Sequence, residues 1–429
     1  MGFDVQRINL NEDNVFETLN GLWTGKKPPF VTAGVIRNTN FTDSGRVDYS
    51  DVVYLQVEQK QLTKRQLKPG DIIVERSGGG PKQPVGRVVY FDREDRPFSF
   101  SNFTSAIRLL DAKTFNSKFV FYNLLELYQS GRTEDIQRCT TGIRNLDFTA
   151  YKERATFPQI PLDEQRKIAG VLGLVQRAIE QQERLIALTT ELKKTLLHQL
   201  FTQGLRGEPQ KQTEIGLVPE SWEVVTLGLL AKVGNGSTPK RDNERYWQGG
   251  TIPWLNSAKI HERFITEANQ FVTDLAVKEC HLPRVKPGSL LIAITGQGKT
   301  LGNTALVTFG TCINQHLAYA QFTTSRVVPE FVLWFMQTRY DHLRSISQAG
   351  GSTKGALTCG YLKTYPVPVS ALDEQREIAD VFAALDRKEK VHYRKHAALI
   401  ALFRTLLHQL MTAQLRVRAL DLPDLEIKQ

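Results

Sequence analysis

The sequence predicts an α+β protein: two β-rich globular domains separated by two long helices that pair as an antiparallel coiled coil, with an internal pseudo-twofold repeat. Three observations predict it. "LDEQR" at Leu162–Arg166 returns at Leu372–Arg376, and "TLLHQL" at Thr195–Leu200 returns at Thr405–Leu410, both displaced by 210 residues. Two matches in one register mark a tandem duplication. Each half ends in a long segment whose apolar residues recur at helical spacings of three and four. Ahead of each segment stand short strand-like runs broken by glycine-rich turns.

The first domain is expected over residues 1–161. Within it "LKPGDIIVERSGGGPKQPVGRVVYF" (Leu67–Phe91) reads as strand, glycine-rich loop, strand. The first long helix follows over 162–205. Ile168, Val171, Leu172, Val175, Ala178, Ile179, Leu185, Ile186, Leu192, Leu196 and Leu200 form its stripe. Asp163 and Glu164 suit its N-terminus, where negative charge meets the positive end of the helix dipole, and Gly204 and Gly207 are natural stops. About 40 residues at 1.5 Å each span roughly 60 Å, more than one globular domain needs.

Residues 206–371 supply a linker and the second domain. "GLRGEPQKQTEIGLVPE" (204–220) has the glycines, prolines and charges of a connection. "VKPGSLLIAITGQGKTLGNTALVTF" (Val285–Phe309) then repeats the strand–loop–strand reading, although its KPG turn lies 218 residues after the first one. "FDVQRI" stands beside "WEVVTL", and "YKERATFP" beside "YLKTYPVP". The second helix is expected over 372–416, with a tail at 417–429. Ile378, Val381, Phe382, Leu385, Leu399, Leu402, Phe403, Leu406 and Leu410 carry its stripe, which thins in the polar "DRKEKVHYRKHAA". Neither helix hides such a stripe alone, and mutual pairing hides both. The rival arrangement packs each helix only on its own domain.

The 429 residues are 41% hydrophobic and 23% charged, within the range of soluble globular proteins. No apolar run reaches the roughly 18 residues of a membrane helix, and the N-terminus lacks a basic start and apolar h-region. A cytoplasmic location is expected. Cys139, Cys280, Cys312 and Cys359 show no paired spacing, against a zinc ribbon or disulfide framework. The formal charge of +10 favours a polyanionic partner, nucleic acid above all.

Three motifs imitate enzymes. "AITGQGKT" (Ala293–Thr300) departs from a phosphate-binding loop at its first position, alanine where glycine is needed. A hairpin turn is the bland reading, and a DNA-facing loop the favoured one, with Lys299 beside phosphate. "KKPPF" (Lys26–Phe30) resembles the "NPPF" of adenine methyltransferases, but Lys27 can only donate where the chemistry needs an acceptor. "HERF" at His261 lacks the second histidine of a zinc-protease helix. His198 and His408 hold equivalent helix positions and read as interface or solvent-facing groups.

With these residues in view, the chain resembles the specificity subunit of a type I restriction–modification enzyme. The resemblance rests on "QIPLDEQRKIAGVL" from Gln159 and "VSALDEQREIADVF" around Ala371. It rests also on "TEIGLVPESWEVVTLG" from Thr213, "GNGSTPKRDNERYWQGGTIPWLNSAKI" from Gly234 and "GGSTKGALTCGYLKTYPVPVSALDEQ" from Gly350. The first domain matches less well: "TGKKPPF" at Thr24 stands where the second has "NGSTPK". The resemblance implies a non-catalytic DNA-reading adaptor. Each domain would bind half of a bipartite duplex target, and the helix pair would set the distance between halves. Two adenine-N6 methyltransferase subunits and the restriction subunits would dock. No cofactor is expected in this chain; S-adenosylmethionine and ATP belong to those partners. A structural coiled-coil organiser with protein-binding ends and a standalone methyltransferase are the rival readings.

Arg and Lys suit guanine edges and phosphates, and Asn and Gln suit adenine. Loop positions combining them give Lys26, Lys27, Arg37, Arg76, Lys82, Gln83, Arg87, Arg144 and Asn145 in the first domain. The second gives Lys240, Arg241, Asn256, Lys259, Gln297, Lys299, Asn314, Gln315, Ser352 and Lys354.

Overall fold

A computed structural model describes residues 6–22, 25–80, 83–140, 142–296, 299–349 and 357–417. The chain forms two compact units. One comprises residues 1–183 with 394–429, the other residues 184–393. Each therefore contains a β-rich domain, half of one long helix and half of the other.

In the first unit the central sheet runs Phe16–Asn20, Thr104–Leu109, Ile72–Glu75, Val88–Tyr90, antiparallel throughout. A second sheet places Phe30–Ile36 between Val53–Glu58, antiparallel, and Phe98–Phe100, parallel. Arg7–Asn9 pairs antiparallel with Thr156–Pro158 just before the first long helix. Gln137–Thr140, Ile143–Leu146 and Ser77–Gly79 make a third small sheet.

The second unit repeats this plan. Its central sheet runs Ala231–Asn235, Leu317–Phe322, Leu290–Ala293, Thr304–Val307, and adds Phe264–Ile265. Ile252–Leu255 lies between Gln270–Val272, antiparallel, and Cys312–Ile313, parallel. Glu223–Thr226 pairs with Pro366–Val369 before the second long helix. Pairing and direction thus recur in the central sheet, in the three-stranded sheet beside it and in the strand pair before each long helix, although the shared words of the two domains are few. The Gln210–Thr213/Gly216–Pro219 hairpin follows the first long helix and has no counterpart described in the first unit.

The long helices span Leu162–Gln203 and Leu372–Met411. Each opens with an Asp–Glu pair in its first turn. The first stops at Gly204, whose φ of +66° is the left-handed conformation of a glycine C-cap. They pack antiparallel within each unit. In the first, Glu183 meets His396 at 3.3 Å, and Glu164 meets Arg416, just past the second helix, at 3.4 Å. In the second, Lys193 pairs with Asp386, and Glu374 accepts the Leu205 amide at 3.1 Å. A rising number on one helix meets a falling number on the other. Each helix half also joins its unit's core. Ile168, Leu172 and Ile179 bury with Phe403, Leu407 and Leu410 around Phe119 and Tyr122. Leu200 and Phe201 bury with Ile378 and Phe382 around Trp222 and Trp334. Each such side chain contributes roughly 1.5–3 kcal/mol by leaving water.

Ser117–Gln129 and Pro329–Thr338 are helices inside these cores that the strand-dominated expectation omitted. Phe119 through Leu127 are all buried, so no polar face marks the period. The four cysteines are free, and burial pushes the Cys312 thiol up to about 11. No helix among the described residues is long and apolar enough to cross a membrane.

Candidate nucleic-acid interface

The loops at one end of each central sheet are tied together by hydrogen bonds, and most of the sequence candidates stand on them. In the second domain the backbone builds the platform. Gly236 lies so close to the Ile313 carbonyl that a Cβ would meet its oxygen at 1.8 Å, so only glycine permits the approach. The Ser237 amide donates to Ile313 O at 3.0 Å and the Asn314 amide to Leu255 O at 3.0 Å. Three loops from separate strands are thereby locked side by side: 236–243, 256–261 and 314–316.

Side chains finish the surface. The Thr238 hydroxyl donates to Gln315 Oε1, and Gln315 Nε2 stands 3.3 Å from His316 Nε2. His316 Nδ1 reaches Thr295 Oγ1 at 2.5 Å. Arg241 lies over Trp247 at 4.0 Å and Trp254 at 4.9 Å and donates to Gln270 Oε1 at 2.9 Å. That stacking holds an exposed guanidinium in one orientation. Lys240 and Lys299 are exposed; the Lys299 carbonyl accepts the Tyr340 hydroxyl at 2.8 Å. Asn256 caps the short turn Ser257–His261. Lys259 binds Glu262 at 2.7 Å with its side chain 13% exposed. Asn314 is buried and accepts the His316 amide at 3.2 Å, so both support the surface from beneath. Gln297, Ser352 and Lys354 lie outside the described residues.

The "AITGQGKT" segment joins the antiparallel strands Leu290–Ala293 and Thr304–Val307. A phosphate-binding loop opens a helix; this one returns into a sheet.

In the first domain Gly21 makes the equivalent approach, where a Cβ would fall 2.0 Å from Ser101 O. The Leu22 amide donates to Phe100 O at 2.8 Å and the Ser101 amide to Ile36 O at 2.9 Å. Arg76 donates to Asn20 Oδ1 at 3.1 Å and lies over Phe148. Ser77 Oγ donates to Asn145 Oδ1 at 2.6 Å, and Arg144 Nε to Gly80 O at 3.2 Å. These join Arg76, Arg144 and Asn145 in one cluster. Arg37 follows the strand Phe30–Ile36 and binds Asp51 at 3.3 Å. Lys26, Lys27 and Gln83 are exposed, and the Lys27 amide donates to Glu58 Oε2 at 3.4 Å. Lys82 lies outside the described residues.

Arg87 is corrected. Its side chain is 11% exposed, and its guanidinium binds Glu75 through Nε at 2.8 Å and donates to the Asn38 carbonyl at 3.0 Å. Burial alone would lower its pKa, but the hydrogen bonds and charge of Glu75 outweigh it and raise it. It holds the hairpin together, with most of its side chain turned inward.

Thr238, His316, Trp247, Asn102 and Phe103 belong to these surfaces and were missed. Asn102 and Phe103 stand in "FSFSNFTSA", which contains no basic residue to mark it. Among the described residues no group of three or more His, Cys, Asp or Glu side chains is placed to hold a metal ion.

Residues 219–399 match the family described as type I restriction modification DNA specificity domain. The protein assigned as the type I restriction enzyme MjaX specificity subunit of Methanocaldococcus jannaschii is 22% identical over 93% of this chain and 91% of its own. The MjaIX specificity subunit of that organism is 31% identical over 44% of this chain and 43% of its own. Among solved structures, the type I restriction–modification S subunit from M. genitalium superposes with a TM-score of 0.59 at 18% identity, covering 96% of this chain and 97% of that one. A chain solved in a study of complex assembly and conformational transition of the type I system gives 0.55 at 16%, covering 97% and 100%.

Proposed function

Because this chain belongs to the specificity-subunit family of type I restriction–modification enzymes, we propose that it reads one bipartite duplex target, one half with each β-rich domain. The family is the non-catalytic DNA-recognition component of these systems. The observation that carries the finer reading is a repeated frame with unlike loops. The two domains share strand order and direction, yet the side chains at the same sheet end differ. Two readers of different half-sites require that combination.

The reading assigns exposed Lys26, Lys27, Lys240 and Lys299 to phosphate and Arg76, Arg144, Arg241 and Gln315 to base edges or phosphate. The paired helices act as the spacer between half-sites. Adenine-N6 methyltransferase subunits and restriction subunits dock on the chain in the cytoplasm, bringing S-adenosylmethionine and ATP with them. Arginine and lysine contacts to phosphate release counterions, so affinity falls steeply with salt.

The test uses the sequence found methylated in cells that carry the complete system. The full chain, alone or with its methyltransferase partner, should bind a duplex of that sequence more tightly than a scrambled one, with a preference that survives rising salt. Equal binding to both duplexes would contradict the reading, as would methyl transfer by the chain alone.

A further inference from the structure

The two domains carry the same exposed turn at the same place. In the first it is Ser101–Thr104, closed by the Thr104 amide donating to Ser101 O at 3.0 Å. In the second it is Asn314–Leu317, closed by Leu317 donating to Asn314 O at 3.3 Å. Both follow the strand that pairs parallel with its neighbour and both lead into the central sheet. The carbonyl at the third position is held from the next loop in each case. Phe103 O accepts the Arg76 amide at 2.9 Å, and His316 O accepts the Ile294 amide at 3.0 Å. At the two tip positions stand Asn102–Phe103 in one domain and Gln315–His316 in the other, all four exposed.

We propose that this tip is the specificity-determining element of each domain, and that Gln315 recognises an adenine. The inference rests on the DNA-reading function above and deepens it. An amide oxygen accepts two hydrogen bonds and an amide nitrogen donates two. In Gln315 the Thr238 hydroxyl takes one acceptor site and His316 one donor site. One acceptor and one donor site of this exposed amide remain. That pair matches adenine in the major groove, where N6–H donates and N7 accepts.

Thr238 and His316 are positioning residues. They hold the amide plane before DNA arrives, which lowers the ordering cost of binding. His316 is held in turn by Thr295. In the first domain the tip presents a shorter amide and a phenyl ring 49% exposed. An apolar ring beside an amide suits an A·T-rich step, with the ring against a thymine methyl.

Two variants of the full chain test this. Gln315→Asn with His316→Phe copies the first tip into the second domain; Asn102→Gln with Phe103→His does the reverse. In cells carrying the complete system, each should change the methylated sequence at one or two positions of one half-site only, a different half for each variant. Unchanged methylated sequences would overturn the proposal.

Direct binding covers the case in which a variant stops methylation. Duplexes of the wild-type target carry 7-deazaadenine, which lacks N7, at one adenine at a time. The wild-type chain should lose on the order of 10-fold in affinity at one adenine of one half-site. Gln315→Ala, melting at the wild-type temperature, should be indifferent to the replacement there. Equal sensitivity of Gln315→Ala and wild type at every adenine would overturn the proposal. A wild-type chain with no sequence preference would overturn the DNA-reading function itself, and this inference with it.

Discussion

The buried amides of Gln165 and Gln375 show why the charged word "LDEQR" stands twice in the chain. Gln165 accepts the Asn116 amide and donates to the carbonyls of Thr114 and Ile160, all at 2.9 Å. Gln375 accepts from Val328 at 2.8 Å and donates to Arg326 at 3.0 Å and Ser370 at 2.8 Å. Both are fully buried. Each ties the start of a long helix to the loop before its domain's internal helix. Glu374 adds a bond from Trp222 Nε1 at 2.9 Å, while Asp373 and Arg376 pair at the surface. Replacing Gln375 by Ala strands three buried backbone groups, each costing about 1–3 kcal/mol unless water reaches it. The expected loss is roughly 2–4 kcal/mol, measured by urea unfolding of the full chain. A loss under about 0.5 kcal/mol, the size of an ordinary surface substitution, would refute this role. The repeat made both glutamines visible in the sequence. Most of their partners were not, because backbone groups some 50 positions away leave no mark on composition. The partner of Arg87 is hidden for a related reason: nothing in a linear sequence says that Glu75 faces it across a hairpin.

At the scale of elements, the two helix seams differ where the repeat aligns them. In the second unit Lys193, under 10% exposed, pairs with Asp386 and Glu389 beneath Trp334, and Arg263 joins Asp386 from the domain. In the first unit the equivalent positions are Phe403 and Gln176. Phe403 packs edge-on to Tyr122, whose hydroxyl donates to Gln176 at 2.6 Å. At these positions one seam is ionic, and the other combines an aromatic contact with neutral hydrogen bonds. Asp386→Ala leaves Lys193 buried beside a single partner and should cost about 3–5 kcal/mol. Lys193→Phe with Asp386→Gln copies the first seam and should recover most of that loss. Urea unfolding of the three chains decides it; a double variant as unstable as the single one would contradict the account. The stripes and the glycine stop of these helices were legible as period and punctuation. The internal helices Ser117–Gln129 and Pro329–Thr338 were not, since an element buried on every face shows no period.

For the whole molecule, the proposed ruler has a quantitative consequence. Deleting residues 184–190 and 389–395 removes one heptad from each helix, and seven residues are close to two turns, with a drift of only about 20°. The seam keeps facing its partner. Each helix shortens by about 10.5 Å, which is roughly three base pairs at 3.4 Å each along the duplex. Three pairs are also about a third of a turn, so the second reader would meet a rotated face. Binding across duplexes of stepped spacer length should show a shorter optimum with weaker affinity, or no specific binding. An unchanged optimum at unchanged affinity would mean that the helices do not set the spacing.

The central claim is that each domain reads its own half of the target, and exchange of one domain tests it most directly. Residues 206–371 are replaced by the corresponding segment of a relative with a different target, and the methylated adenines of cells carrying the complete system are sequenced. One half of the methylated sequence should change to the relative's while the other half stays as it was. Change in both halves, or in neither, would contradict the account.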